Sequence, residues 1–156
     1  MNRWLLITAA CVASAGMAAG AVLADPKHAT FQADNVAWQP GPASMEAGAE
    51  FTVLYGDPSD EGPFTMWIRL PADFTIMPHV HPSTENVTVI SGTFHMSPGE
   101  TLDRDNAMTK PAGSHTWFEA GSPHAAWTSE PTIIQLHGIG PWDIEYVDPE
   151  DDPRHR

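Results

Sequence analysis

Apolar and polar residues alternate along most of this chain, in short runs that are separated by turn-forming residues. Residues 64–70 form one such run, with Phe64, Met66, Ile68 and Leu70 at alternate positions. No stretch has the longer period of an extended amphipathic helix. Many short strands at close spacing predict an all-β sandwich or barrel. We predict strands over residues 36–38, 51–55, 64–70, 74–81, 85–90, 93–96, 115–118, 124–128, 132–137 and 142–147, and one helical turn within residues 100–106.

The two ends of the chain depart from this pattern. Residues 1–24 combine Arg3, an apolar run, and the small residues Val22 and Ala24, so we predict a signal peptide cleaved after Ala24 and a protein exported to the periplasm or beyond. An uncleaved anchor is the alternative. Residues 25–50 suggest an extended arm, residues 51–147 a single barrel domain, and residues 148–156 a solvated acidic tail. Cys11, the single cysteine, would leave with the leader, so we expect neither a disulfide nor a thiolate metal site.

The charge of the chain limits its partners. The formal net charge is −13. A protein this acidic is a poor partner for nucleic acid or for an anionic membrane, and we predict neither once the leader is removed. A small-molecule ligand or substrate remains the expected partner, with a homodimer also possible.

Residues 77–92 contain the strongest chemical signal. His79 and His81 are two positions apart, so an extended strand would turn both imidazoles to one side. Glu85 opens the next β-branched run, where it shares a face with Val87 and Val89. Two imidazoles and a carboxylate at adjacent strand ends are a suitable ligand set for a divalent metal.

A second segment downstream extends this pattern. The first motif is His-x-His, then three residues, Glu, six residues and Gly, at His79, His81, Glu85 and Gly92. The second motif is Gly, then five residues, Glu-Ala-Gly, two residues and His, at Gly113, Glu119, Ala120, Gly121 and His124. In order and spacing these resemble the two signature motifs of the RmlC-like cupin family. The resemblance covers about residues 64–140. It implies a jelly-roll β-barrel that holds one divalent transition metal (Mn, Fe, Co, Ni, Cu or Zn) through the three histidines and Glu85.

Three positions depart from the family pattern. Asp73 stands where the family has glycine, Glu119 where it has proline, and Thr128 where it has asparagine. Asp can also serve a turn, and neither Glu119 nor Thr128 is a ligand position, so we expect the site to tolerate all three changes. A three-histidine zinc hydrase is a rival interpretation, in which Glu85 would lie outside a tetrahedral site.

The remaining candidates concern the pocket. If the last barrel strand turns His137 and Gln135 inward, His137 could carry protons and Gln135 could bind substrate; Arg69 and Trp117 are further pocket candidates. The predicted function is a metal-dependent enzyme for a small oxygenated compound, of dioxygenase, decarboxylase or isomerase type, with Glu85 and His137 as its catalytic residues. The alternative is a non-catalytic binding or sensing module, which a wholly apolar pocket lining would favour.

Overall fold

Strand β3, Gly62–Leu70, shows how residue alternation builds the fold. Phe64, Met66, Ile68 and Leu70 are buried, and the residues between them are partly exposed. Burying one such side chain contributes about 1.5–3 kcal/mol, so the alternation determines which face of the strand turns inward. The computed structural model describes residues 27–156, and one compact unit runs from Phe31 to Arg156.

Two antiparallel sheets face each other across one hydrophobic core. The strands are β1 (Gln39–Pro40), β2 (Glu50–Tyr55), β3 (Gly62–Leu70), β4 (Thr75–Val80), β5 (Glu85–Ser91), β6 (Thr93–Pro98), β7 (Met108–Pro111), β8 (His115–Phe118), β9 (His124–Thr128), β10 (Thr132–Gly140) and β11 (Glu145–Tyr146). One sheet has the order β1-β2-β3-β10-β5-β8, and the other has the order β11-β4-β9-β6-β7. The core draws side chains from both sheets, such as Leu136 from β10 and Met96 from β6. The predicted all-β jelly roll is confirmed.

The polar segment before β7 is not helical, and the predicted helical turn over residues 100–106 is wrong. The Asp103 carboxylate accepts the backbone N–H groups of Asp105 and Asn106, each at 3.1 Å. A short acidic side chain that bonds its neighbours' amides favours a turn over a helix. Strand β7 was not predicted, and the arm pairs with β2 through Gln39–Pro40 and not through residues 36–38.

The C-terminal segment, predicted as a solvated tail, contains local structure that the prediction did not include. Short 3-10 helices span Pro149–Asp151 and Pro153–His155. Asp152 between them is only 6% exposed and pairs with Arg154. The acidic composition of the segment predicts exposure, but it does not reveal the pairing of Asp152 with Arg154.

The structure does not test the predicted leader, and it shows no membrane-spanning helix in the residues that it describes. The predicted signal peptide, residues 1–24, lies outside the described residues. Among residues 27–156, no helix is long and apolar enough to cross a membrane.

Candidate metal centre

Three strands deliver the side chains of the histidine motif to one place. His79 is the fifth residue of β4, His81 directly follows that strand, and His124 opens β9, where it lies opposite His79 in the antiparallel ladder. Glu85 opens β5 in the facing sheet, and it turns inward together with Val87 and Val89 as predicted. The motif residues therefore meet between the two sheets at adjacent strand ends.

The cluster is tight and buried. One ring nitrogen from each of His79, His81 and His124 lies within 4.8 Å of the other two. The Glu85 carboxylate lies beside two of them, with Oε1 at 3.3 Å from His81 Nε2 and Oε2 at 3.2 Å from His124 Nε2. All four residues are at most 6% exposed. The three nitrogens are close enough together for one metal ion to bind all of them, and Glu85 borders two of them.

Each imidazole is oriented by its other nitrogen. The Nδ1–H groups of the three histidines donate to backbone carbonyls: His79 to Met77 at 2.7 Å, His81 to Asp143 at 2.7 Å, and His124 to Ser122 at 3.0 Å. This arrangement fixes the tautomer that leaves the Nε2 lone pair free, as is usual for metal-binding histidines. Nε2 of His81 and Nε2 of His124 are buried and have no hydrogen-bond partner. The residues therefore fit a metal ion, which would satisfy both nitrogens.

Burial and mutual contact set the charges of the cluster. Burial, with the neighbouring His124 and His81, lowers the pKa of His79 to about 3. Burial also acts to lower the pKa of His81, but the Glu85 carboxylate and the Asp143 carbonyl outweigh it, and the net pKa is raised. Burial acts to raise the pKa of Glu85, but the adjacent imidazoles hold it well below its ordinary value. A neutral His79 and an ionised Glu85 are the forms that bind metals.

The space beside the histidines is small and apolar. The cavity has a volume of about 20 Å³, which is room for about one water molecule. Besides the four motif residues, its walls are Met45, Ile68, Ile76, Phe94, Met96, Ala126, Ile134, Leu136, Trp142 and Ile144. Among these lining residues, Glu85 is thus the one ionisable side chain that is not a histidine.

His137 and Gln135 lie on the opposite face of β10 from this cavity. Ile134 and Leu136 are the strand's inward residues, and the alternation turns their neighbours out. His137 stacks on His115, with ring centroids 6.1 Å apart, and Gln135 accepts the indole N–H of Trp67 at 3.2 Å. The inward orientation considered for this face is therefore wrong.

Arg69 and Trp117 also point away from the histidines. Arg69 belongs to the outward set of β3, pairs with Glu50, and lies over the ring of Trp38 at 4.6 Å. Trp117, on the edge strand β8, is 58% exposed. The structure thus brings the four predicted ligands together and places all the other pocket candidates on outer faces.

The sequence analysis missed the segment that covers the site. Trp142 stacks on the His81 ring, with centroids 4.9 Å apart and planes inclined by 19°. The next residue, Asp143, provides the carbonyl that orients His81. The sequence does show a tryptophan shortly after the last long strand. Its residue type alone does not distinguish a wall of the site from an ordinary core residue.

Comparison with known proteins agrees with this geometry. Residues 26–143 match the family model described as the ChrR cupin-like domain. The chain belongs to this cupin family. No curated protein sequence matches this cupin.

Solved structures with the same fold are distant in sequence. An acetylacetone dioxygenase from Acinetobacter johnsonii is 17% identical, with a TM-score of 0.61 over 83% of each chain. The polyketide cyclase RemF from Streptomyces resistomycificus is 13% identical, with a TM-score of 0.66 over 82% of this chain and 91% of that one. An RmlC-like cupin from Shewanella frigidimarina is 14% identical, with a TM-score of 0.57 over 73% and 91%. At these identities the likeness establishes the fold.

Proposed function

We propose that this cupin is an exported, metal-dependent enzyme that acts on a small oxygenated organic compound, with oxidative cleavage of a dicarbonyl as the first reaction to test. The observation that carries the proposal is the buried set of three imidazoles whose Nδ1–H groups are all engaged and whose ligand nitrogens lie within 4.8 Å of one another, two of them beside Glu85. His79, His81 and His124 would hold one divalent transition metal, and Glu85 would be a fourth ligand.

The bound metal would supply Lewis acidity and, for Mn, Fe, Ni or Cu, one-electron chemistry toward dioxygen. Glu85 is the carboxylate beside the imidazoles, and it is the candidate base for the proton on the carbon between two carbonyl groups. The apolar walls would exclude water from the reacting atoms.

The lining supports testing one reaction type before the others. A reaction that needs an acid and a separate base is poorly served, because Glu85 is the one non-histidine ionisable group among the described lining residues. Enolisation of a dicarbonyl needs one base. The fold similarity to an acetylacetone dioxygenase supports testing dicarbonyl compounds first. Carboxylic acids would then be tested for decarboxylation and sugars for isomerisation.

The test is an oxygen-uptake assay on the full chain. Metal-free protein would be loaded separately with Mn, Fe, Co, Ni, Cu and Zn and supplied with acetylacetone, and the products would be identified by NMR. We expect catalytic oxygen consumption with at least one redox-active metal and none with Zn. Turnover that is equal with and without metal would contradict the proposal.

A non-catalytic binding module is the second candidate function, and the same lining favours it. The cavity beside the histidines holds about one water, and its remaining walls carry no acid or base. On this account the loaded protein would bind one equivalent of a chelating ligand and return it unchanged. Multiple turnovers in the oxygen assay would exclude this candidate.

Export is a separate part of the proposal, and it rests on the composition of residues 1–24. Expression of the full chain followed by N-terminal sequencing of the exported protein should give Asp25 as the first residue. A protein that retains Met1 in the cytoplasmic fraction would contradict this part alone. A homodimer remains a prediction.

A further inference from the structure

A second cavity shares two wall residues with the cavity at the metal centre. Its volume is about 190 Å³, and its walls come from the arm, from strands β2 and β3, and from the segment after β10. We call it the arm cavity. Ile68 and Trp142 belong to the walls of both the arm cavity and the small cavity beside the histidines. The two spaces therefore adjoin at these two residues, and the Trp142 indole reaches the first space by stacking on His81.

The two cavities differ in volume and therefore in the size of the group that each can hold. The cavity beside the histidines, at about 20 Å³, has room for about one water molecule and not for a phenyl group. An apolar cavity of about 150 Å³ is known to accept benzene, so the arm cavity at about 190 Å³ is large enough for a phenyl group. A ligand that chelates the metal while its remainder lies in the arm cavity must move the indole.

The backbone on both sides of Trp142 is fixed, so the movable part is the side chain. The Trp142 N–H donates to the Pro58 carbonyl at 2.7 Å. Arg154 donates to the Asp143 carboxylate and to the Ile144 carbonyl, each at 2.8 Å. The indole itself has no hydrogen bond, because its Nε1–H is buried without a partner, and it is held by stacking on His81. A ring that leaves a donor unpaired gains a partner when it rotates toward solvent or toward a ligand oxygen.

The walls of the arm cavity favour an uncharged ligand. Phe51, Met66 and Ile68 supply apolar surface. Among the described residues that line it, the one charged side chain is Asp143, whose carboxylate would repel an anionic group.

We propose that the Trp142 indole is a movable partition and that the arm cavity receives an uncharged, phenyl-sized part of the substrate, so that rotation of the ring joins this cavity to the metal centre. The inference rests on the proposed function, because it assumes that the substrate's oxygens reach the metal. Trp142 is then the residue that determines which substrates enter.

The experiment compares two neutral diketones that differ in one group. Acetylacetone carries two methyl groups, and benzoylacetone replaces one of them with a phenyl group; 4-carboxybenzoylacetone, which carries a carboxylate on the phenyl ring, is the anionic control. Binding to the Co(II)-loaded full chain is followed by the cobalt absorption spectrum. The same chain, loaded with Zn(II) and labelled with 5-fluorotryptophan, is followed by ¹⁹F NMR, and the Trp142 signal is assigned as the one missing from Trp142→Phe.

We expect benzoylacetone to shift the Trp142 signal and to leave the signal of Trp67, on the outer face of β3, in place. Ser44→Leu places a larger side chain in the wall of the arm cavity, and it should weaken benzoylacetone binding by about tenfold or more while changing acetylacetone binding little. Trp142→Ala should raise the association rate of benzoylacetone by about tenfold, because no ring has to move first. 4-Carboxybenzoylacetone should bind more weakly than benzoylacetone, because its ring carboxylate would enter the cavity that Asp143 lines.

Three outcomes separate this inference from the proposed function. If neither diketone changes the cobalt spectrum of fully loaded protein, the proposed function fails. If both change it while the Trp142 signal stays in place, or while Ser44→Leu weakens both equally, the inference fails and the proposed function survives. If Trp142→Ala does not fold, the ¹⁹F signal and the Ser44→Leu variant still decide.

Discussion

The imidazole of His81 is held in place by the backbone of Asp143, whose carbonyl oxygen accepts the Nδ1–H at 2.7 Å. The Asp143 carboxylate accepts in turn from Arg154 at 2.8 Å. Arg154 also donates to the Ile144 carbonyl and pairs with Asp152. The C-terminal segment therefore determines the orientation of one of the three histidines, although it is remote from them in sequence.

Replacing Arg154 with alanine should weaken metal binding without touching any ligand. Loss of its bonds leaves the Asp143 and Ile144 backbone less constrained, and groups that orient a ligand are each worth about 10–100-fold in metal affinity. We expect a loss near the lower end of this range, together with about 1–3 kcal/mol of the free energy of unfolding. Competition with a chromophoric chelator measures the metal affinity, and urea denaturation of metal-free protein measures the free energy of unfolding.

Arg156 provides the matched control for Arg154. It is two residues away and pairs with Glu46 at an exposed site. Surface pairs of this kind contribute about 0–1 kcal/mol, so Arg156→Ala should leave metal affinity unchanged. Equal losses of affinity in the two variants would show that the Arg154 effect is not transmitted through Asp143.

Asp152 should make part of the stability depend on pH. Its hydrogen bond from Arg154 holds its pKa below the ordinary value of 3.8. A carboxyl group whose pKa is lower in the folded state stabilises the fold above its unfolded pKa, and that contribution is lost as the pH falls through the folded value. The difference in unfolding free energy between the natural protein and Asp152→Asn should therefore be constant above about pH 5 and shrink toward pH 3. A difference that is independent of pH would contradict this.

The strands and the histidine motif could be predicted because both depend on local order. Alternation in β3 shows its own buried face, and the spacing of His79 and His81 places both on one side of β4. Asp73, which replaces a family glycine, adopts a positive φ of 58° and serves the turn as expected.

The orientation of β10 could not be predicted because apolar residues occur on both of its faces. Ile133 faces outward with His137, and Ile134 and Leu136 face inward. The pairing of β10 with β3 and β5 decides between them, and that pairing is not local. The roles of Trp142 and Arg154 likewise depend on contacts with distant segments, such as Phe64 and Asp143.

Two motif glycines should differ in their tolerance of alanine. Both have positive φ, 76° at Gly92 and 87° at Gly113. A Cβ at Gly113 would meet open space, so Gly113→Ala should cost about 1–2 kcal/mol through the backbone alone. A Cβ at Gly92 would lie 2.5 Å from the Pro131 carbonyl oxygen, so Gly92→Ala should cost a further ~1–3 kcal/mol. Urea midpoints of the two variants test this, and equal losses would contradict it.

Glu85 should be needed for turnover more than for metal binding. Glu85→Gln keeps a side-chain oxygen beside His81 and His124 but removes the base. We expect metal content near one equivalent when the metal is saturating, and a fall in turnover of about 10²–10⁴-fold. Elemental analysis and the oxygen assay measure the two quantities on the same sample. Full turnover in this variant would remove Glu85 from the mechanism.

The most direct test of the central claim is the metal-to-protein ratio of the full chain, measured by elemental analysis after metal loading and removal of excess metal. The account predicts about one transition-metal ion per chain, a sharp loss in His79→Ala and in His124→Ala, and an unchanged ratio in His95→Ala, because His95 contacts Thr109 and Ser129 on an outer face. A ratio that is the same in all four proteins would contradict the assignment of the metal to these histidines.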